Sequence, residues 1–138
     1  MASAGKRAEI KAYQALRAAG YDIVKVPTPY VILKSSGSGT FIGKYSGSAG
    51  VDFVGTEEGG RAIFVECKRT KSDVLNINSA GLKPDQIDFL MRHHKRGALA
   101  MVCWNEVFAA IGEIVDLLDR TKRKSIKRSD FLDIALKI

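Results

Sequence analysis

Residues 51–68, Val-Asp-Phe-Val-Gly-Thr-Glu-Glu-Gly-Gly-Arg-Ala-Ile-Phe-Val-Glu-Cys-Lys, constrain the fold of this chain more than any other stretch. They read as two short strands around a glycine turn, with Asp52 on the first strand and Glu66-x-Lys68 on the second. Side chains alternate faces along a strand, so Glu66 and Lys68 share one face with Phe64, while Ile63, Val65 and Cys67 point the other way into a core. A three-residue loop at residues 58–60, a common hairpin class when it carries glycine, pairs Asp52 directly with Glu66. Directly opposed side chains lie about 5 Å apart. That distance suits a shared divalent ion and is poor for two bare anions. A slip of one residue would turn Asp52 to the opposite face and remove the arrangement. Two carboxylates around a cation, with a lysine to place a water or neutralise a developing oxyanion, are equipped for metal-assisted phosphodiester hydrolysis.

The Glu-x-Lys triplet alone is weak, because such triplets arise by chance on solvated strands. Its weight comes from the Asp52 partner and from the charge of the chain. The 138 residues carry a net charge of +7. Six of the nine residues from Arg120 to Arg128 are basic, and further clusters lie at Arg92–Arg96 and Lys68–Lys71. Any one such run is more often a solvated face than a binding site. Three runs beside a candidate phosphodiester site point to a polyanion, with phosphate contacts supplying most of the affinity. A membrane surface fits less well, because no run is paired with an exposed apolar helix face.

The length suits one domain with a single core, and 46% of the residues are hydrophobic. No segment reads as a transmembrane span, and the opening residues lack the apolar stretch of a signal peptide, so a cytoplasmic protein is expected. Cys67 and Cys103 sit alone in apolar strands without metal-ligand spacing. They read as buried reduced thiols.

Along the chain, residues 4–19 read as a helix capped by Ser3 and stopped by Gly20, with Ile10, Tyr13 and Leu16 on its apolar face. Residues 21–26 read as a strand, broken by Pro27 and Pro29. Residues 30–34 and 40–45 read as hairpin arms, and the loop at 46–50 leads into the Asp52 strand. Gly43-Lys44 is the nearest approach to a phosphate-binding loop, but Tyr45 stands where Ser or Thr is needed, so that reading is rejected. An irregular stretch to Leu82 precedes a helix opened by Pro84 and running to about Lys95, with Ile87, Leu90, Met91 and His94 inward. His93 is then a surface or DNA-facing residue. Residues 98–104 form a strand covered on both faces; Trp104 at its end could stack on a base, but the end of a buried strand favours a packing role. Residues 107–111 form another strand. Residues 113–120 form a helix with Ile114, Leu117 and Leu118 inward, and Ser129-Asp130 cap a last short helix. The order implies an α/β layer structure around a mixed sheet.

At this point the residues resemble a family. Asp52 with Glu66-Cys-Lys68 on a hairpin, preceded by a helix carrying Glu9 and followed by helix then strand, is similar to the PD-(D/E)xK nucleases, and within them to Holliday junction resolvases of the archaeal and RecU types. Gly5-Lys-Arg-Ala-Glu9 matches their Gly-x-x-x-Glu opening. Ser48-Ala-Gly-Val-Asp52 resembles their serine loop before the catalytic Asp, and Val65–Lys71 resembles their Glu-x-Lys strand with its polar tail. Leu82-Lys-Pro-Asp-Gln86 resembles the Gln-bearing helix start of the RecU type. The likeness spans residues 5–128. Val51 stands in place of the proline of the superfamily's name. Residues 27–45 are an insertion where the RecU type carries a projecting stalk, so this hairpin is expected to be a short arm into the junction.

The resemblance implies an α/β, restriction-endonuclease-like fold: a central mixed sheet flanked by helices, with a short inserted hairpin. It implies Mg²⁺, or Mn²⁺ as a substitute, held by Asp52, Glu66 and the Cys67 backbone carbonyl. Lys68 would orient the attacking hydroxide and stabilise the charged phosphorane. Glu9 would close the site or hold a second ion, although an acid near a helix start is also favoured by the helix dipole. Ser48, or Ser46 on the same loop, would contact the scissile phosphate, unless the loop is simply flexible. Gln86 would hold a water or a phosphate, or else cap its helix. Further DNA contacts are expected at Lys6, Arg7, Lys44, Arg69, Lys71, Arg92, Lys95, Arg96, Arg120, Lys122, Arg123 and Lys124. The implied activity is paired symmetric nicking of four-way junction DNA by a homodimer. The rivals are a restriction-like or repair endonuclease on linear or damaged duplex, and a junction-binding module that does not cut. An RNA-directed enzyme fits least, since no aromatic stacking platform is evident.

Overall fold

The computed structural model describes residues 3–27 and 50–138 in full, and the backbone of residues 30–35 and 41–45. Helix α1 (Ala4–Ala18) starts where Ser3 Oγ accepts the Lys6 N–H at 3.2 Å, satisfying one of the orphan donors of the first turn. It ends just before Gly20, which holds φ at 95°. Strand β1 (Asp22–Lys25) follows. The backbones of β2 (Tyr30–Ser35) and β3 (Phe41–Tyr45) pair antiparallel in a sheet of their own, as expected for an inserted hairpin.

The central sheet has five strands in the order β1, β4 (Phe53–Thr56), β5 (Ala62–Lys68), β7 (Leu99–Trp104) and β8 (Val107–Ala110). The β5–β7 pair is parallel and the others antiparallel, so the sheet is mixed. The β4–β5 register pairs Phe53 with Val65 and Thr56 with Ala62. Glu57 N–H bonds the Arg61 carbonyl, which leaves the expected three-residue loop at 58–60, with φ near 100° at both glycines.

Strict alternation divides the core in two. Ala100, Val102 and Trp104 face α2 (Pro84–Lys95) and α3 (Ile111–Thr121), while Met101, Cys103, Ile63 and Val65 face α1. Central strands covered on both sides read as continuous apolar runs for this reason. The β7–β8 hairpin turns on Asn105 and Glu106, both at positive φ, in a two-residue loop.

Several expectations need correction. The stretch after Lys68 is not wholly irregular: β6 (Val74–Asn76) pairs with β9 (Ser125–Lys127), and that second strand lies inside the basic run. Helix α3 begins at Ile111 rather than 113 and takes the last residue of the expected strand. On α2 the inward phase is set by Gln86 and Leu90. One further turn brings His93 inward, stacked on Phe64 with ring centroids 4.3 Å apart, while His94 is exposed. On α1 the buried positions are Ala12 and Leu16. Ile10 and Tyr13 remain 45% and 38% exposed. Finally, α4 (Arg128–Asp133) begins at Arg128, and its Phe131 meets Trp104 edge-on.

Candidate active site

Strand β5 carries Glu66 and Lys68 on the face toward α2, as alternation requires. The carboxylate of Glu66 is buried, with only 5% of the residue exposed, and its Oε1 lies 3.7 Å from Lys68 Nζ. Gln86 lies on the first turn of α2. Its Nε2 donates to Glu66 Oε1 at 3.2 Å, and its Oε1 accepts the Lys83 N–H at 3.0 Å. One side chain therefore closes the helix start and holds the acid. The capping expected of Gln86 is present, and its amide is spent on Glu66.

Asp52 precedes the first paired residue of β4. Its N–H bonds the Val65 carbonyl, its carbonyl accepts from Val26, and its Oδ2 accepts the Cys67 N–H at 2.8 Å. Val51 and Phe53 are two residues apart, yet they enter the two opposite cores. The alternation therefore breaks at Asp52, as at a β-bulge, and such irregularities re-aim a side chain at the end of a ladder. The register, continued by one residue, sets Asp52 opposite Glu66.

Burial first, and then the Asp52 carboxylate, push the Glu66 carboxyl up to about 8, against the opposing pull of Lys68. Without a cation the pair therefore holds a proton near neutral pH. Lys25 at the end of β1 supplies a positive charge from the other side. Its Nζ lies 3.1 Å from Asp52 Oδ1 and 3.2 Å from Glu9 Oε2. Burial alone lowers the Lys25 pKa, but the two carboxylates outweigh it and leave it raised.

Glu9 thus joins the site through Lys25. Among the described residues, no group of three or more His, Cys, Asp or Glu side chains is placed to hold a metal ion. The donor set available to a divalent ion is the Asp52–Glu66 pair, with main-chain, water and substrate oxygens. That set fits magnesium, which keeps several waters and takes few carboxylates.

Lys25 was missed in the sequence. A lone lysine at a strand end carries no local signal, and its partner Asp52 is 27 residues away. Ser46 and Ser48 lie outside the described residues, and Lys44 is placed only as a backbone position on β3. Lys6, Arg7, Arg69, Lys71, Arg92, Lys95, Arg96, Arg120, Lys122, Arg123 and Lys124 are all exposed. Arg128, at the end of the basic run, is structural. Its guanidinium donates to the carbonyls of Trp104 (2.7 Å) and Asn105 (3.1 Å). Cys67 and Cys103 are paired in register on β5 and β7 as free thiols, and the Cys103 contact and burial both raise the Cys67 pKa.

No family model matches the chain, and no curated protein sequence matches it. Solved structures do match. One is Hjc from the archaeal hyperthermophile Archaeoglobus fulgidus, a Holliday junction resolvase, with a TM-score of 0.60 and 21% identity over 99% of this chain and 93% of that one. The likeness establishes the fold: a central mixed sheet flanked by helices, shared along nearly the whole chain.

Proposed function

We propose that this chain is a metal-dependent endonuclease that cuts four-way DNA junctions. The observation that carries the reading is the buried Glu66, held by Gln86 and Lys68 and set opposite Asp52, in a fold shared with Hjc. Asp52 and Glu66, with the Cys67 carbonyl, would hold Mg²⁺ or Mn²⁺. A bound ion supplies Lewis-acid charge at the scissile phosphate.

The chain's own residues do the rest. Gln86 fixes the direction of the Glu66 carboxylate. The Cys67 N–H fixes Asp52. Lys68 offers its ammonium to the attacking water and to the oxyanion that develops on phosphorus. Lys25 ties α1 to the site by way of Glu9 and places a second positive charge beside the phosphate. The exposed lysines and arginines draw in the DNA backbone, so binding is expected to weaken steeply with salt. Symmetric nicking needs two such centres, which implies a homodimer. No helix of the described residues is long and apolar enough to cross a membrane.

Competition binding tests the substrate class. A labelled four-way junction should stay bound in a large excess of linear duplex of the same sequence. Equal displacement by linear duplex would favour a restriction-like enzyme instead.

A further inference from the structure

A cavity of about 340 Å³ opens beside the candidate active site, between α1 and the start of β4. Its floor is Ile10, Tyr13 and Phe53, and Lys6, Gln14 and Lys25 stand around it. The Tyr13 and Phe53 rings meet at a tilt, with centroids 5.9 Å apart, and the Lys25 ammonium lies 5.6 Å from the centre of the Phe53 ring. Ile10 and Tyr13 belong to the apolar stripe of α1, yet the sheet does not cover them. The cavity shares Lys25 and Glu9 with the Asp52 centre.

We infer that this cavity is a subsite for one unstacked nucleobase of the DNA strand next to the scissile phosphate. The inference rests on the nuclease reading and extends it. The chemistry of the walls selects the occupant. The Tyr13 ring, exposed above the buried Phe53 and beside the exposed Ile10, offers a stacking surface to any base. Gln14 offers both a donor and an acceptor to a base edge. Lys6, exposed at the rim, stands where a phosphate flanking that base carries negative charge, a complementarity that an apolar partner segment would not use, while Lys25, held between Asp52 and Glu9, joins the cavity to the Asp52 centre. At a branch point the bases lose a stacking neighbour, so drawing one out costs less than in continuous duplex. The cavity would thereby couple recognition of a branch to positioning of the phosphate at Asp52 and Glu66.

The test is binding of labelled four-way junctions that carry a single abasic site, placed in turn at each position around the branch. Calcium would replace magnesium for binding, and cleavage would be read in parallel with magnesium. At one position, loss of the base should weaken binding by the wild-type chain about 5- to 100-fold. Tyr13→Ala should bind the intact junction that much more weakly and be indifferent to the missing base. Tyr13→Phe, which keeps the ring, should behave as wild type. Ile10→Ser, on an exposed face and so no threat to folding, should lose part of the effect. If the wild-type chain binds and cuts but no abasic position matters, the base subsite is overturned and the nuclease reading stands. If Tyr13→Ala changes the sedimentation of the free protein and leaves the abasic response intact, the cavity is an interface between copies and the subsite is overturned. If the wild-type chain neither binds nor cuts junctions, both readings fall.

Discussion

Gln86 Nε2 donates to Glu66 Oε1 at 3.2 Å, and these two residues are the buried polar side chains among those described. A polar pair is retained in an apolar interior only where its hydrogen bonds are made, since an unmet buried group costs more than a met one returns. The pairing connects the start of α2 to the middle of the sheet, and it aims the acid on which the proposed chemistry depends.

Removing that donor should therefore act on both stability and titration. Gln86→Leu keeps the volume but strands Glu66 and the Lys83 N–H, at a cost of about 1–3 kcal/mol. The amide favours the ionised form of Glu66, so its loss should move the alkaline rise of cleavage to higher pH. Denaturation and a pH–rate profile together check this. An unchanged profile would mean that Gln86 only caps the helix.

Glu66 makes the stability of the metal-free chain depend on pH. An unfolded glutamic acid ionises near 4.5, whereas in the fold it holds its proton to about 8. Below 4.5 both states are protonated and the group contributes no difference. Between these values the unfolded chain binds fewer protons than the native one, so stability falls as pH rises. Above 8 both are ionised and the loss is complete, on the order of a few kcal/mol. Melting curves across this window in the presence of a chelator should decline, and Glu66→Gln should flatten the decline. Added Mn²⁺ should restore stability at the high end, and below about pH 8, where Glu66 still holds its proton, its binding should release protons. A flat wild-type profile would contradict the burial argument.

Much of this arrangement was legible in the sequence. The hairpin register, and with it the Asp52–Glu66 opposition, followed from alternation and from the two glycines at 59 and 60. What could not be read is equally physical. Strands β6 and β9 are three residues long with one buried side chain each, Leu75 and Ile126, too few to define a period. The inward phase of α2 was set by a polar residue, Gln86, which hydrophobic spacing ignores, and so His93 and His94 were exchanged. Ile10 and Tyr13 matched a core stripe, but the narrow packing of α1 buries only Ala12 and Leu16.

Lys25 stands between Asp52 and Glu9, and its ammonium competes with any divalent ion for Asp52. Lys25→Met should bind Mn²⁺ more tightly than wild type by titration calorimetry, while its cleavage rate falls at saturating metal. Weaker metal binding would show that Lys25 supports the ion site and does not oppose it.

Asn105 secures the segment that follows Lys68. Its side chain accepts the Thr70 N–H and donates to the Thr70 carbonyl, each at 3.0 Å, and its N–H bonds the Lys68 carbonyl at 3.0 Å. Asn105→Gly tolerates the φ of 46° but loses the clamp. It should lower the melting temperature by roughly 3–10 °C. Asn105→Ala should lower it further, because alanine adds strain at positive φ. If glycine restores wild-type melting, the clamp contributes nothing and the turn conformation is all that matters.

The most direct measurement maps the products of a synthetic four-way junction incubated with the chain and Mg²⁺ or a chelator, for wild type, Asp52→Asn and Glu66→Gln. The account predicts paired nicks at symmetric positions across the branch, dependent on metal and abolished by either substitution without loss of junction binding. Nicks that persist in both variants, or tight junction binding with no cleavage in any divalent metal, would contradict it.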